Sequence, residues 1–556
     1  MVLINKKKSN DIYMYFILIL LTLITIVPLF ISANIRGDDY LFHLLRIADI
    51  KNSIVNGHVL VNIMPESLYG YGYANGLFYP DLLLYIAAFL NLIGINLKFA
   101  YGIFLSLCTL ASTFSMFICI KKISNNKNTA LYSTVIYIFA QYKITDLYFR
   151  SAVGEYISFI FIPIVLLGVY ELLYRNYKKW YILSIGMSGI LLSHLLSVFI
   201  VVIMCVLIYI LNIHKLIQKP KRILYSIIAA ITTLLITAYT WIPIIEQMLS
   251  SKFNVQQAEP FAYDRSVSIE DILTFNRNSR FFIGLVIVIL SLLYIVAIMK
   301  KKNSLFMFSC FIVGVLSLIL TIKTPFLKIV SDNFKLFNQI QFAWRMGLIA
   351  TLLLSFIAGY SIDKIFSEKY KYVIVIAISL ISIVNLMAYK KYYRIQNIDF
   401  NNFSAKYSEY IGAGKEYLPE GADVKKIKER GNIVTSNDKG FKYSNYIKRG
   451  CYISLDYKVN KDDAYIDLPL LYYKGYTFKI ISSNNDEKEF GNVSHSNEMY
   501  IRVNVGNIKE GSLVVDYTGT KLMKLGYLVT ILTIITLIIY IIRLRKYDSF
   551  KIKKIR

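Results

Sequence analysis

Long apolar runs, rather than short alternating patterns, dominate this chain. They recur at 12–33, 99–120, 223–245, 281–299 and 522–542, each near the ~20 residues that cross about 30 Å of hydrocarbon. With the shorter runs between them they predict about twelve spans, at 12–33, 98–120, 129–142, 156–174, 180–193, 196–213, 223–247, 281–299, 304–322, 346–366, 371–389 and 522–543. The apolar stretch 81–94 is too short to cross and reads as a re-entrant or interfacial helix on the outer leaflet. The pattern changes only in 390–521. Residues 452–457, 464–468, 477–481, 499–505 and 512–517 alternate or run β-branched and aromatic between Gly, Asn and Asp turns. The expected fold is therefore mainly α: a polytopic transmembrane helical bundle over 1–389, a small extracytoplasmic β-sandwich-like domain over 390–521, and a last span with a basic tail over 522–556.

Composition agrees, with 56% of the 556 residues hydrophobic, more than a water-soluble core of this length needs. Lys and Arg number 62 against 35 Asp and Glu, a net charge of +27. In a soluble protein that excess would suggest nucleic acid as a partner. Here the basic residues gather at 6–8, 121–122, 175–179, 215–222, 300–302 and 543–546, as short cytoplasmic loops do. That assignment predicts cytoplasmic termini, external segments 34–98, 143–155, 249–280, 323–345 and 390–521, membrane lipids as partners and no role for nucleic acid. The first apolar run exceeds a signal-peptide core and no small-residue cleavage site follows, so it reads as an uncleaved anchor. Four of the five cysteines lie in apolar runs and Cys451 stands alone, which gives neither a disulfide framework nor a metal-spaced set.

No glycine-rich nucleotide motif occurs, and no cytoplasmic loop is long enough for a nucleotide domain. A group transferred on the outer face would have to arrive on a lipid, and a sugar on a polyprenyl phosphate meets that requirement. Directly after the first span, Asp38, Asp39, His43 and Arg46 lie close together, with Asp39, His43 and Arg46 on one helical face. Sugar transfer needs a carboxylate to take the acceptor hydroxyl proton and cations to hold the departing phosphate. An Asp cap on an amphipathic surface helix explains the same residues equally well. Arg150 and Glu155 lie near the start of the fourth span, as substrate-binding groups or as a structural ion pair. His194 lies in the turn between spans five and six, and Arg345 follows Trp344 at span ten. With five His and no His-x-x-x-His, a zinc site has little support. Asp38 and Asp39 could still hold a divalent cation, Mg or Mn, beside a donor phosphate.

The sequence resembles the bacterial multi-spanning YfhO-like group, labelled "6-pyruvoyl-tetrahydropterin synthase related", within the GT-C glycosyltransferase superfamily. The resemblance rests on Gly37-Asp38-Asp39 with His43 and Arg46, Gly70-Tyr71-Gly72-Tyr73 leading to Phe78-Tyr79-Pro80, Arg150 to Glu155, Ser193-His194-Leu195, Gln341 to Arg345, and Leu468 to Tyr476. Departures stand at Asp81 and Ala343, where proline is common in that group. The resemblance implies a GT-C-like bundle with Asp38 or Asp39 as catalytic base, a lipid-linked sugar donor and a cell-envelope glycan acceptor. By side-chain chemistry and position, His43, Arg46, Arg150, Glu155, His194 and Arg345 are candidates for donor-phosphate or substrate binding. Two other classes fit the composition: a lipid-linked saccharide flippase, for which no pair of related halves is visible, and a non-catalytic carbohydrate-binding assembly protein.

Overall fold

The computed structural model describes residues 2–31, 35–256, 261–274, 277–300, 304–388, 394–395, 398–400, 402–483, 488–506 and 508–555. The expected domain junction at 389–390 and residues 301–302 of the basic cluster 300–302 lie outside the described residues.

Each of the twelve expected segments is helical, with a correction to the number of full-length spans. Among the described residues five helices are long and apolar enough to cross a membrane: Ile12–Phe30, Leu97–Ser124, Val153–Tyr174, Ala343–Ile365 and Lys521–Lys546. Lys127–Ile138 and Tyr181–Leu191, of 12 and 11 residues, rise only about 18 Å and 17 Å, well short of the hydrocarbon thickness. The expected span 223–247 is two helices, Lys221–Ile236 and Ala238–Ser250, bent by 70°. Pro243 lies inside the second, where it cannot donate to the carbonyl four residues back, and the Thr237 hydroxyl donates to the Thr233 carbonyl at the break. The stretch 81–94 forms a short turn and the helix Tyr85–Leu92, whose Ile86 and Phe89 are exposed.

Polar residues set the ends of these helices. Asn96 accepts the Lys98 N–H at 3.0 Å, and Asn126 accepts those of Asn128 and Thr129 at 2.8 and 3.1 Å, as N-caps do. Small residues let the central helices touch. A Cβ on Gly359 would overlap Ser133, and one on Gly168 would come within 2.5 Å of the Leu183 backbone.

The β-rich region forms two antiparallel sheets. Tyr465–Leu471 and Tyr500–Asn504 pair at the centre of one, and Glu510–Tyr517 lies between Tyr452–Lys458 and Tyr476–Ser482 in the other. Leu513 stands opposite Leu455 and Ile480, and with Ile466, Leu468 and Val503 these form a shared core. All five expected strands are present. The edge strand Lys442–Arg449 and Lys488–Asn492 are additional.

This region is docked as well as tethered. The Leu471 N–H donates to the Tyr71 carbonyl at 2.9 Å, and the Gln247 amide brackets Lys474, donating to its carbonyl at 2.6 Å and accepting its N–H at 3.1 Å. Ile35–Arg36 pairs with Arg394–Ile395. The segment 249–280 joins the same contacts, its Asn254 N–H donating to the Leu418 carbonyl at 3.2 Å and its Val267 carbonyl accepting the Lys323 N–H at 2.8 Å.

Candidate active site

Two glycines and two backbone hydrogen bonds bring the first two long loops together. A Cβ on Gly37 would overlap Ser151 Oγ and lie 2.8 Å from the Ser151 nitrogen, so only glycine permits this approach. The N–H of Asp38 then donates to the Phe149 carbonyl at 2.9 Å and that of Asp39 to the Arg150 carbonyl at 2.8 Å. Ser151 turns the chain in the left-handed region, with φ 52°. Gly154 leaves room for Tyr79 and the Ser193 carbonyl, and Gly347 packs against the Tyr142 ring.

Asp39 occupies the N-cap position of the helix Tyr40–Val55, yet its side chain makes no capping hydrogen bond. It is half-buried beside the more exposed Asp38, whose Oδ2 lies 4.0 Å from Arg280 Nη2. Burial, reinforced by Asp38 and opposed by Arg150 and Arg345, pushes the Asp39 carboxyl up to about 6.

Buried ion pairs lie next to it. Arg150 Nη1 contacts Asp146 Oδ1 at 2.5 Å and Glu155 Oε2 at 2.7 Å. Arg345 Nε lies 3.4 Å from the same Glu155 oxygen, while its Nη1 donates to the Ile340 carbonyl at 2.9 Å and to Gln341 Oε1 at 3.0 Å. The Tyr142 hydroxyl donates to the other Glu155 oxygen. Both carboxylates meet Arg150 through Nη1, and among the described residues the second arm of its fork carries no carboxylate.

His43 and Arg46 form the next layer. Arg46 stacks on Tyr79, 4.3 Å from the ring centre, and donates to the Tyr79 and Pro80 carbonyls at 3.2 and 2.9 Å. Its Nη1 lies 3.4 Å from His43 Nδ1. Burial and then Arg46 hold His43 well below its ordinary range, and burial followed by Arg345 lowers His194 to about 3; both rings are neutral at physiological pH. His194 Nδ1 lies 2.8 Å from Ser197 Oγ, and its ring faces Tyr79 at 6.0 Å between centroids.

The eight residues singled out from the sequence thus lie around one centre, with Tyr79 between the His43–Arg46 and His194 groups. Tyr79, Tyr142, Asp146, Arg280 and Glu416, the last acting on Asp39, complete it and were not singled out. Asp146 and Tyr79 stood inside segments that drew attention. Arg280 and Glu416 carry no local signal: Arg280 reads as an ordinary charge beside an apolar run, and Glu416 as one of several charges in a polar, glycine-containing stretch. Among the described residues no group of three or more His, Cys, Asp or Glu could hold a metal ion.

Residues 77–392, more than half of the chain, match the membrane-protein family described as 6-pyruvoyl-tetrahydropterin synthase related domain. An uncharacterized protein of Lactococcus lactis subsp. cremoris (strain MG1363) is 21% identical over 598 aligned positions, covering 95% of this chain and 94% of its own. The crystal structure of ArnT from Cupriavidus metallidurans bound to undecaprenyl phosphate aligns with 11% identity and a TM-score of 0.43, over 71% of this chain and 75% of that one. The family match, spanning Tyr79 through Arg345, makes this chain a member of the 6-pyruvoyl-tetrahydropterin synthase related membrane proteins, the YfhO-like group.

Proposed function

We propose that this protein is a GT-C-type glycosyltransferase that moves one sugar from a polyprenyl-phosphate carrier to a cell-envelope glycan on the outer face of the membrane. The observation that carries the reading is Asp39: a half-buried carboxylate in a capping position that it does not use, held by backbone hydrogen bonding beside buried arginines. A carboxyl at about 6 is ionised at neutral pH and still basic enough to accept a proton.

In this reading the acceptor hydroxyl oxygen attacks the anomeric carbon as Asp39 takes its proton. The bond from that carbon to the phosphate oxygen breaks, and its electron pair leaves with the phosphate. Arg150, through its uncommitted arm, and Arg345 stabilise the charge that develops there. Glu155 keeps both guanidiniums in place. Neutral His43 and His194 line the approach with Arg46 and Tyr79, and a single displacement inverts the anomeric configuration. Asp38 is the outer member of the pair and faces Arg280. A divalent cation would find only Asp38 and Asp39 as adjoining ligands, with the Arg280 guanidinium 4.0 Å from Asp38, a poor donor set for a resident metal.

The test is mass spectrometry of envelope glycans from cells with and without the gene. Loss of one sugar increment, restored by the wild-type gene, supports the reading. An unchanged glycan profile would count against it.

A further inference from the structure

A cavity of about 250 Å³ lies away from Asp39, where the β-rich region meets the end of the Tyr40–Val55 helix and the start of the last helix. Asp39 and Ser53 are separated along that helix by about 21 Å at 1.5 Å per residue. We propose that this cavity binds a neutral sugar residue of the acceptor glycan, giving the acceptor a second foothold remote from the site of transfer. The proposal deepens the transferase reading and rests on it.

The cavity is lined for hydroxyl groups. Ser53 is 3% exposed and among the described residues its Oγ has no hydrogen-bond partner, an unmet polar group that a ligand hydroxyl would satisfy. Asp516 Oδ1 accepts the Tyr517 N–H at 2.8 Å, and among the described residues the carboxylate makes no ion pair, which leaves Oδ2 to accept from a sugar. Asn62 Oδ1 receives the Tyr527 hydroxyl at 3.3 Å, so its amide nitrogen can donate. Tyr517 and Tyr527 add ring surface, and Lys524 adds a donor. An acceptor carboxylate, an amide, a hydroxyl and aromatic faces are what a polyhydroxylated ring requires. A phosphate would instead meet Asp516, with no guanidinium on the wall. The volume lies below the ~300 Å³ where sites for drug-sized ligands begin, and so suits one ring.

The surroundings place the mouth at a membrane surface. Val59 and Leu60 beside it are exposed, as are Ile86 and Phe89, and the Tyr85 hydroxyl ties the two stretches together, donating to the Val59 carbonyl at 2.9 Å and accepting the Val61 N–H at 3.0 Å. Such an apolar rim suits a glycan anchored in the same bilayer.

The experiment is saturation-transfer NMR on the full chain in lipid nanodiscs with glucose, galactose, N-acetylglucosamine and their soluble oligomers, and with inorganic phosphate in a separate arm. The expected result is binding of at least one sugar, weakened about tenfold in Asp516→Ala and several-fold in Ser53→Ala, and unchanged in Asp39→Asn. The two cavity variants lie on different elements, so misfolding of one leaves the other to decide. Absence of sugar binding, binding unaltered in both variants, or phosphate bound in place of sugar would overturn the proposal. Transfer by Asp39→Asn reports separately on the enzymatic reading: if it persists while the cavity still binds sugar, the site stands and the catalytic assignment falls.

Discussion

The N–H of Asp39 donates to the carbonyl of Arg150 at 2.8 Å, so the backbone of the second loop fixes where the first presents its carboxylate. Gly37 makes that contact possible by passing against Ser151. Gly37→Ala should therefore separate the loops, lowering transfer at least about tenfold, as a misplacement near 1 Å does, and costing roughly 1–3 kcal/mol of stability through overpacking. Transfer assays and thermal unfolding of the purified variant check both. Wild-type values in each would show that the approach is not needed.

The Asp39 carboxyl, raised to about 6 by burial, is protonated below that pH and ionised above it. A base must be ionised, so kcat/KM should fall about tenfold per pH unit below pH 6 and level off above it. A pH profile with saturating and limiting donor measures this. A limb near the ordinary carboxylate value of 3.8 would mean that Asp39 is not the titrating group.

Asp49 is fully buried and accepts a hydrogen bond from Ser67 Oγ at 2.8 Å. Burial raises it to about 8 from an ordinary 3.8, against the opposing Ser67 hydrogen bond. Between those values the folded state holds a proton that the unfolded state has lost, so stability falls as pH rises across that window. Asp49→Asn should flatten this dependence and raise the midpoint at pH 8 by a few degrees. Thermal scans at pH 5 and pH 8 decide. A variant that stays as pH-sensitive as the wild type contradicts the assignment.

The orientation rests on basic clusters such as 121–122 and can be tested directly. In intact cells an impermeant thiol reagent should label a cysteine placed at Asp462, in the β-rich region, and leave one at Asn125 unlabelled. The reverse pattern would turn the molecule over and put Asp39 on the cytoplasmic side.

What could be read from the sequence follows from which constraints are local. Leu513, Leu455 and Ile480 each sit in an alternating stretch because one face of their strand is buried. Lys442–Arg449 escaped because an edge strand exposed along most of its length has no buried face to impose a period. The 236–238 break was hidden inside an unbroken apolar run, where hydropathy does not register direction. In the site, Asp39 and Arg150 could be recognised singly as ionisable groups beside spans. Their connection could not, since it runs through backbone atoms and a glycine contact. Arg345 meets Glu155 only through the packing of distant helices, and Arg280 enters by the same route.

The central claim is that Asp39 is the base, and its replacement by Asn tests it most directly. Asn keeps the shape, and a cap would tolerate it, because Asn caps a helix about as well as Asp. At matched membrane levels, sugar incorporation into envelope glycan by Asp39→Asn should fall by about 10²- to 10⁴-fold, roughly 3–5 kcal/mol of barrier, while Asp38→Asn retains most activity. Near-normal incorporation by Asp39→Asn, or by the double variant, would contradict the account and favour a non-catalytic role for this loop.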